Sequence, residues 1–404
     1  MNRVVFRQIP PLACDFSGAS SVLFGLPGLH LYYCPASCTQ PIAECDEIRD
    51  LQDSLVYYSV FGEVAAVMGS DAEFLIEAKL LADRNEDVEF ITIVSTPVPA
   101  IVGSDLSYLA TQLSEYTKKP VLVIGTTGFE SYYSGVQQTL QELGKTFLKK
   151  RSLNQRQINL IGYTPLSLGY EKNLSEFVDN LEESGIKLRG LPQHTRNLEE
   201  FTELSEGALN IVLTHEGVAL AQLMEKEFNI PYLLGLPIGI SGERALFEKI
   251  EQVTEIQLPH VSFRDHKCLD IADKKVVVIG EPLWAACLVE VLKKDFGIHD
   301  TLPLSVLTRE RKLKKSYREA KLQGVEYILS EEELQKRIMN FKPAVVFGDP
   351  LYERVLDLNN ETLYVSVPHI GLSGLLFKEM TTQLMGYSGH EWLREKLKNK
   401  SGRD

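Results

Sequence analysis

The sequence predicts an α/β protein made of three doubly wound, Rossmann-like parallel-sheet domains, and three observations predict it. Short β-branched runs alternate with amphipathic helical stretches along the whole chain, the pattern of successive strand–helix–strand units. Several of these runs are apolar throughout, as strands buried on both faces must be. Two irregular polar stretches, "KKRSLNQRQ" (149–157) and "TEIQLPHVSFRDHKCLDIADKK" (254–275), interrupt the alternation. They divide the chain into expected domains 1–151, 152–256 and 257–404, a reasonable number for 404 residues.

In the first domain, strands are expected at "LHLYYC" (29–34), "VEFITIVS" (88–95) and "PVLVIG" (120–125), with helices over 72–84, 105–117 and 135–149. The second should contain "INLIGY" (158–163), "IKLRGL" (186–191), "ALNIVLT" (208–214) and "IPYLLGL" (230–236). Its helices fall over 173–184, 217–228 and 242–253. The third should contain "KKVVVIG" (274–280), "VEYIL" (325–329), "PAVVFG" (343–348) and "TLYVSV" (362–367), with a helix over 283–296. Open parallel sheets bind ligands beyond their strands' carboxyl ends. Those ends read "YCPASC", "STPVPAIVG", "IGTTG", "YTP", "GLPQH", "THEG", "IGEP", "FGDP" and "SVPHIG". None is a G-x4-G-K-[ST] loop. "VVVIGEPLWAA" carries one glycine where the dinucleotide fingerprint has three, so no nucleotide site is expected on this chain.

The net charge is −13, from 42 basic and 55 acidic residues, which argues against a nucleic-acid partner. The one basic run, "TRERKLKKSY" (308–317), reads as a solvated helix face. No apolar run is long enough for a membrane span, and "MNRVVFRQIPPLACD" lacks a signal-peptide pattern. A cytoplasmic setting with reduced thiols follows as the expectation.

Four of the six cysteines, Cys14, Cys34, Cys38 and Cys45, lie near the start of the chain. Their separations of 19, 3 and 6 residues contain neither a C-x2-C zinc knuckle nor a redox C-x-x-C pair. Plain buried thiols, zinc ligands and iron–sulfur ligands all remain open. Two features of context favour a cluster. The Gly/Ser-rich "CDFSGASS" could offer backbone amides to inorganic sulfide. Cys38 follows a strand and Pro35, where a helix could start and turn its positive dipole end toward an anionic cluster.

Six segments, in collinear order, carry a resemblance. They are "CDFSGASSVLFGLPGLHLYYCPASC", "STPVPAIVGSDL", "TTGFESYYSGVQQTL", "IPYLLGLPIGISGERALFEKI", "KKVVVIGEPLWAACLVEVL" and "TTQLMGYSGHEWL". Together they resemble the nitrogenase component 1 family across nearly the whole chain. The resemblance implies three doubly wound domains in a homodimer or a pair of homologous subunits. It also implies an iron–sulfur cluster, of the 4Fe-4S kind, shared across the interface, and an ATP-hydrolysing iron protein as electron donor. Cys14 and Cys38 fall on the family's first two cluster cysteines. Pro97 stands where many members have a third, and Cys34 either replaces that ligand or is an inert strand-end thiol. Cys45 is a weaker candidate. The family's mid-chain cofactor cysteine has no counterpart, because no cysteine lies between Cys45 and Cys268; direct dinitrogen reduction is therefore disfavoured.

The resemblance thus implies an oxidoreductase subunit that reduces a small molecule or tetrapyrrole. The alternative is a non-catalytic scaffold or carrier for cluster assembly, or a relative that keeps only the fold. His369 lies where a late functional histidine would fall, and His30, His194 and His215 could face the central cleft. Glu281 and Asp349 are expected first as helix N-caps. Tyr32, Tyr33, Tyr57 and Tyr58 read as core or interface aromatics. Cys268 and Cys287 carry no expected site role.

Overall fold

A computed structural model of the chain describes residues 13–35, 56–61, 67–191, 194–195, 197–259, 273–306, 324–373 and 384–398. Cys38, Cys45, Cys268 and the basic run 308–317 therefore lie outside the described residues.

The chain forms three all-parallel sheets. The first unit comprises α1 (Asp15–Leu23), β1 (Gly28–Pro35), β2 (Val56–Phe61), α2 (Asp71–Arg84), β3 (Phe90–Ser95), α3 (Pro97–Val102), α4 (Leu106–Thr117), β4 (Val121–Ile124) and α5 (Tyr132–Phe147). The second follows with β5 (Asn154–Ile161), α6 (Pro165–Leu168), α7 (Ser175–Glu183), β6 (Lys187–Arg189), α8 (Leu198–Thr202), β7 (Gly207–Val212), α9 (Val218–Phe228), β8 (Tyr232–Leu234) and α10 (Gly239–Thr254). The third holds β9 (Val276–Ile279), α11 (Pro282–Phe296), β10 (Thr301–Ser305), β11 (Glu326–Tyr327), α12 (Glu331–Phe341), β12 (Val345–Gly348), α13 (Pro350–Val355) and β13 (Leu363–Ser366). The short α14 (Ile370–Ser373) and the C-terminal α15 (Gly386–Lys398) complete it.

Strand order is β2-β1-β3-β4 in the first sheet, β6-β5-β7-β8 in the second and β11-β10-β9-β12-β13 in the third. In each, the chain first winds to one side of the opening strand and then crosses to the other. That reversal opens a crevice between β1 and β3, between β5 and β7, and between β9 and β12, the place where such sheets bind ligands.

Two strands, β2 and β10, were not expected. β10 contains Pro303, which ordinarily argues against a strand interior. It is tolerated because alternate residues of a parallel strand bond to opposite neighbours. Ser305 O accepts from Ile328 N on the β11 side, so Pro303 faces that side too, before the short β11 ladder begins.

Helix α5 ties the units together. Leu143 and Phe147 pack with α1 residues Phe16, Ala19 and Leu23 on the face of the first sheet that carries Tyr32 and Cys34, a cluster reaching Ile161 and Leu220 of the second unit. Tyr133 and Val136 of α5 share a buried cluster with Val277 and Ile279 of β9. The approach of α1 to α5 is backbone to backbone: a Cβ on Gly135 would lie 1.7 Å from Asp15 O. At the other end, Asp295 accepts from Ile240 N (3.1 Å), Ser241 N (3.2 Å) and the His390 ring (3.1 Å), joining α10, α11 and α15.

Candidate functional site

Two places at the carboxyl ends of the strands concentrate chemistry. The first is the rim holding Cys14. This residue is the N-cap of α1, half-buried, with its Sγ 3.5 Å from Ser17 Oγ. The rim is stitched by the next residue: the Asp15 carboxylate accepts from Thr127 N (2.8 Å) and Gly128 N (2.7 Å) in the loop after β4. Ala13 extends the seam to the third unit, its N donating to Gly371 O (2.7 Å) while its O accepts from Tyr132 N (2.8 Å). Pro97 opens α3 at the end of β3, and Gly128, at φ +76°, rests on it. A Cβ there would be 2.4 Å from Pro97 Cγ and 3.2 Å from Phe16 Cε1. Thus Cys14 and Pro97 belong to one rim, with the exposed Phe129 beside them.

Cys34, near the end of β1, is buried in the apolar cluster beneath α1, and Cys14 packs against that same cluster. The Gly/Ser-rich segment is helical. It is helix α1, with Gly18 N bonded to Cys14 O (3.2 Å) and the Gly18 Cα pressed on Tyr132 O. Its glycine serves the packing of α1 on α5.

The second place is the crevice where the three units meet. His215 and Glu216 follow β7, and Glu281 follows β9. His215 Nδ1 lies 2.7 Å from Glu281 Oε1 and 3.1 Å from Glu216 Oε2, and all three residues are buried. Glu281 Oε1 also accepts from His215 N (3.0 Å), while its Oε2 caps α11 through Trp284 N (2.7 Å). The other Glu216 oxygen, Oε1, accepts from Ser167 Oγ (3.0 Å) on α6. From α5, the Tyr133 ring meets His215 edge-on at 4.7 Å, and its Oη lies 3.2 Å from His369 Nε2. His369 N donates to Asp349 Oδ2 (2.8 Å), and Asp349 Oδ1 caps α13 through Leu351 N (2.9 Å).

Charge follows from this geometry. Burial works against a charged His215, but the Glu216 and Glu281 carboxylates outweigh it and push the pKa up to about 10. Burial would raise Glu216, but the His215 charge overcomes it and holds the carboxyl low. Burial also keeps His369 below the usual histidine range, against the pull of Asp349, Glu216 and Glu281. Tyr133 is raised well above the usual phenol value by burial and then by the same two glutamates. At neutral pH the crevice therefore holds an imidazolium, a neutral imidazole and a phenol.

Of the expected site residues, the structure brings His215 and His369 together through Tyr133, and Glu281 and Asp349 are N-caps as read. Two histidines do not face the cleft. His30 lies near the amino end of β1, fully buried, with Nδ1 3.0 Å from Thr92 Oγ1; burial pushes its pKa down to about 4, so it is a neutral core residue. His194 pairs with Glu182 (2.7 Å) on α7, beside the edge strand β6. Tyr32 and Tyr33 are buried, Tyr32 bonding Ser20 and Tyr33 bonding Asp71 (2.7 Å). Cys287 is a core residue of α11, its thiol pushed up to about 12 by burial. Sequence reasoning missed Tyr133, Glu216 and Ser167. Glu216 had a signal, standing in "THEG" at a strand's carboxyl end; Tyr133 had none.

Comparison with known proteins places the fold. A family model described as nitrogenase component 1 type oxidoreductase matches residues 14–400. A light-independent protochlorophyllide reductase subunit from Leptolyngbya boryana is 22% identical over 305 residues, covering 68% of this chain and 59% of that protein. Its counterpart from Pyropia yezoensis is 22% identical over 280 residues, covering 62% and 55%. The matched stretch thus spans less than two thirds of these relatives' length. A solved structure, "Nitrogenase Cp1 at pH 6.5", superimposes with a TM-score of 0.72 at 17% identity, covering 99% of this chain and 94% of that one. Such low identity shows a shared fold, and the family model adds shared descent across all three sheets: the chain belongs to the nitrogenase component 1 type oxidoreductase family.

Proposed function

We propose that this chain is an oxidoreductase subunit that shares an iron–sulfur cluster with a second, identical or homologous, subunit and reduces a small molecule or tetrapyrrole in the crevice between its three units. Electrons would come from an ATP-hydrolysing iron protein. The observation that carries the reading is the placement of Cys14, a half-buried thiol at a helix N-terminus on the rim that also holds Pro97.

The donors present fit one half of a shared site. Cys14 stands at the positive end of the α1 dipole, which favours an anionic ligand set. Cys38 follows Pro35, the last residue of β1, by three positions, a reach of about 10 Å at most. Cys34 lies beneath, in the cluster that Cys14 packs against. Cys14 and Cys38 are the ligands in this reading, with Cys34 as a third where Pro97 offers none. When bound, the cluster supplies low-potential electron transfer. The chain's own part is to hold the thiols at a rim a partner can complete and to hold protons in the crevice. There, His215 and Tyr133 keep theirs at neutral pH.

Anaerobic purification with iron and acid-labile sulfide analysis tests the proposal. Iron and sulfide in equal amounts are expected, reduced at least severalfold in Cys14→Ala and Cys38→Ala. A well-folded protein without iron overturns the reading. A scaffold reading is favoured by one observation, the proline in place of a third cysteine. It predicts that the iron persists but is not reduced by an iron protein with ATP.

A further inference from the structure

The geometry points to a second metal site, separate from the cysteines: a single divalent first-row cation held by His215 Nδ1, Glu216 Oε2 and Glu281 Oε1. This inference does not rest on the cluster reading, since it uses none of the thiols.

The donor separations suit it. Metal–nitrogen and metal–oxygen bonds of about 2.0–2.2 Å place neighbouring ligand atoms about 3–3.5 Å apart. Here Nδ1 is 2.7 Å from one carboxylate oxygen and 3.1 Å from the other, and the three side chains offer ligand atoms within 4.8 Å of one another. Each carboxylate is already oriented through its second oxygen. Ser167 Oγ holds Glu216 Oε1 and Trp284 N holds Glu281 Oε2, leaving one oxygen of each beside the imidazole. Such outer contacts are what fix metal-ligating carboxylates.

An independent observation points to a missing ligand. Glu216 is 0% exposed, and its Oε2, 3.1 Å from His215 Nδ1, makes no hydrogen bond of good geometry. The Nδ1 hydrogen of His215 lies nearer Glu281 and cannot fully serve both carboxylates. A buried carboxylate oxygen left in this state is unfavourable, and a cation would relieve it.

One nitrogen and two carboxylate oxygens suit manganese, iron or zinc better than copper(I), which favours soft sulfur donors. Three protein donors also leave a coordination position for water or another ligand.

Manganese is the discriminating probe, because thiols are poor ligands for it. The chelator-treated full chain is titrated with Mn²⁺ while the six-line signal of the free ion is followed by electron paramagnetic resonance. One bound equivalent per chain is expected, tightening as pH rises because the cation and a proton compete for Nδ1. Glu216→Gln should weaken binding at least tenfold, and Cys14→Ser should leave it unchanged. In the wild type, bound Mn²⁺ should broaden the ring resonances of Tyr133 and His369, a readout that needs no variant. Absence of a stoichiometric site, or binding that leaves those rings sharp, overturns the inference. So does a folded Glu216→Gln protein that binds as tightly as wild type.

Discussion

The cysteine rim and the three-unit crevice lie on the same side of their sheets, yet they are built on opposite principles. The rim is half-open and made largely by backbone: Asp15 gathers two loop amides, and Gly128 folds over Pro97. Its cysteine stands half-buried at a helix end. The crevice is closed and made by side chains, with an imidazole between two carboxylates and a tyrosine against two histidines. A site that a partner must complete can leave its donor at the surface. A site buried inside one chain must balance its own charges, because bulk water screens them little.

The largest expected effect comes from unbalancing the crevice. His215→Ala, studied with a chelator present, leaves Glu216 and Glu281 buried and facing each other. Removing one partner from a buried charge group costs about 3–5 kcal/mol. Urea denaturation should show a loss of that size. A loss below about 1 kcal/mol would mean that water reaches the carboxylates, and the contrast between a closed crevice and an open rim would fail.

A second effect sharpens the same point with a carboxylate that has no imidazole. Glu243 on α10 is buried near Glu176; burial first, and then the Glu176 charge, push its pKa up to about 7, against a hydrogen bond from Asn180. Glu216, equally buried but beside His215, moves the other way. A carboxyl raised in the folded state binds its proton more tightly there than in the unfolded chain. Its contribution to stability is full below about pH 4.5 and is lost as pH rises through about 7. Glu243→Gln removes that loss. Comparing urea midpoints at pH 5 and pH 8, the variant should gain roughly 1–3 kcal/mol relative to wild type at the higher pH. Parallel pH profiles for the two proteins would show that Glu243 titrates normally.

The contrast also explains what could be read from sequence. Strand and helix positions were legible because burial on both faces forces continuous apolar runs, as in Val276–Ile279. β10 was hidden because the cost of Pro303 depends on which neighbour its nitrogen faces, a fact of sheet order. At the rim, Cys14 stood out because cysteines are rare, while Cys38 and Cys45 lie outside the described residues. The crevice was only half legible. Its pieces stood at strand ends, but His215 and Glu281 are 66 residues apart and Tyr133 and His369 are 236 apart. Their pairing depends on how three sheets dock, and no local pattern encodes that. His30 misled although its place was readable: it stands at the start of the 29–34 run, away from the carboxyl end where ligands bind.

The smallest effect separates the rim thiol, Cys14, from Cys34 beneath it. Cys34 is fully buried among Tyr32, Phe16 and Leu23, so Cys34→Ser places a hydroxyl in an apolar cluster and should cost about 1–3 kcal/mol. Cys14 lies above that cluster, half-buried at the N-cap of α1, where serine is itself a favoured cap. Cys14→Ser should therefore change stability by no more than about 0.5 kcal/mol, while lowering iron content as strongly as Cys14→Ala. The two readouts part company only if the rim is a ligand site that contributes little to the fold. If Cys14→Ser costs as much stability as Cys34→Ser, Cys14 is a packing residue. The distinction between an open rim and a self-balanced crevice would then have to be drawn at Cys38 alone.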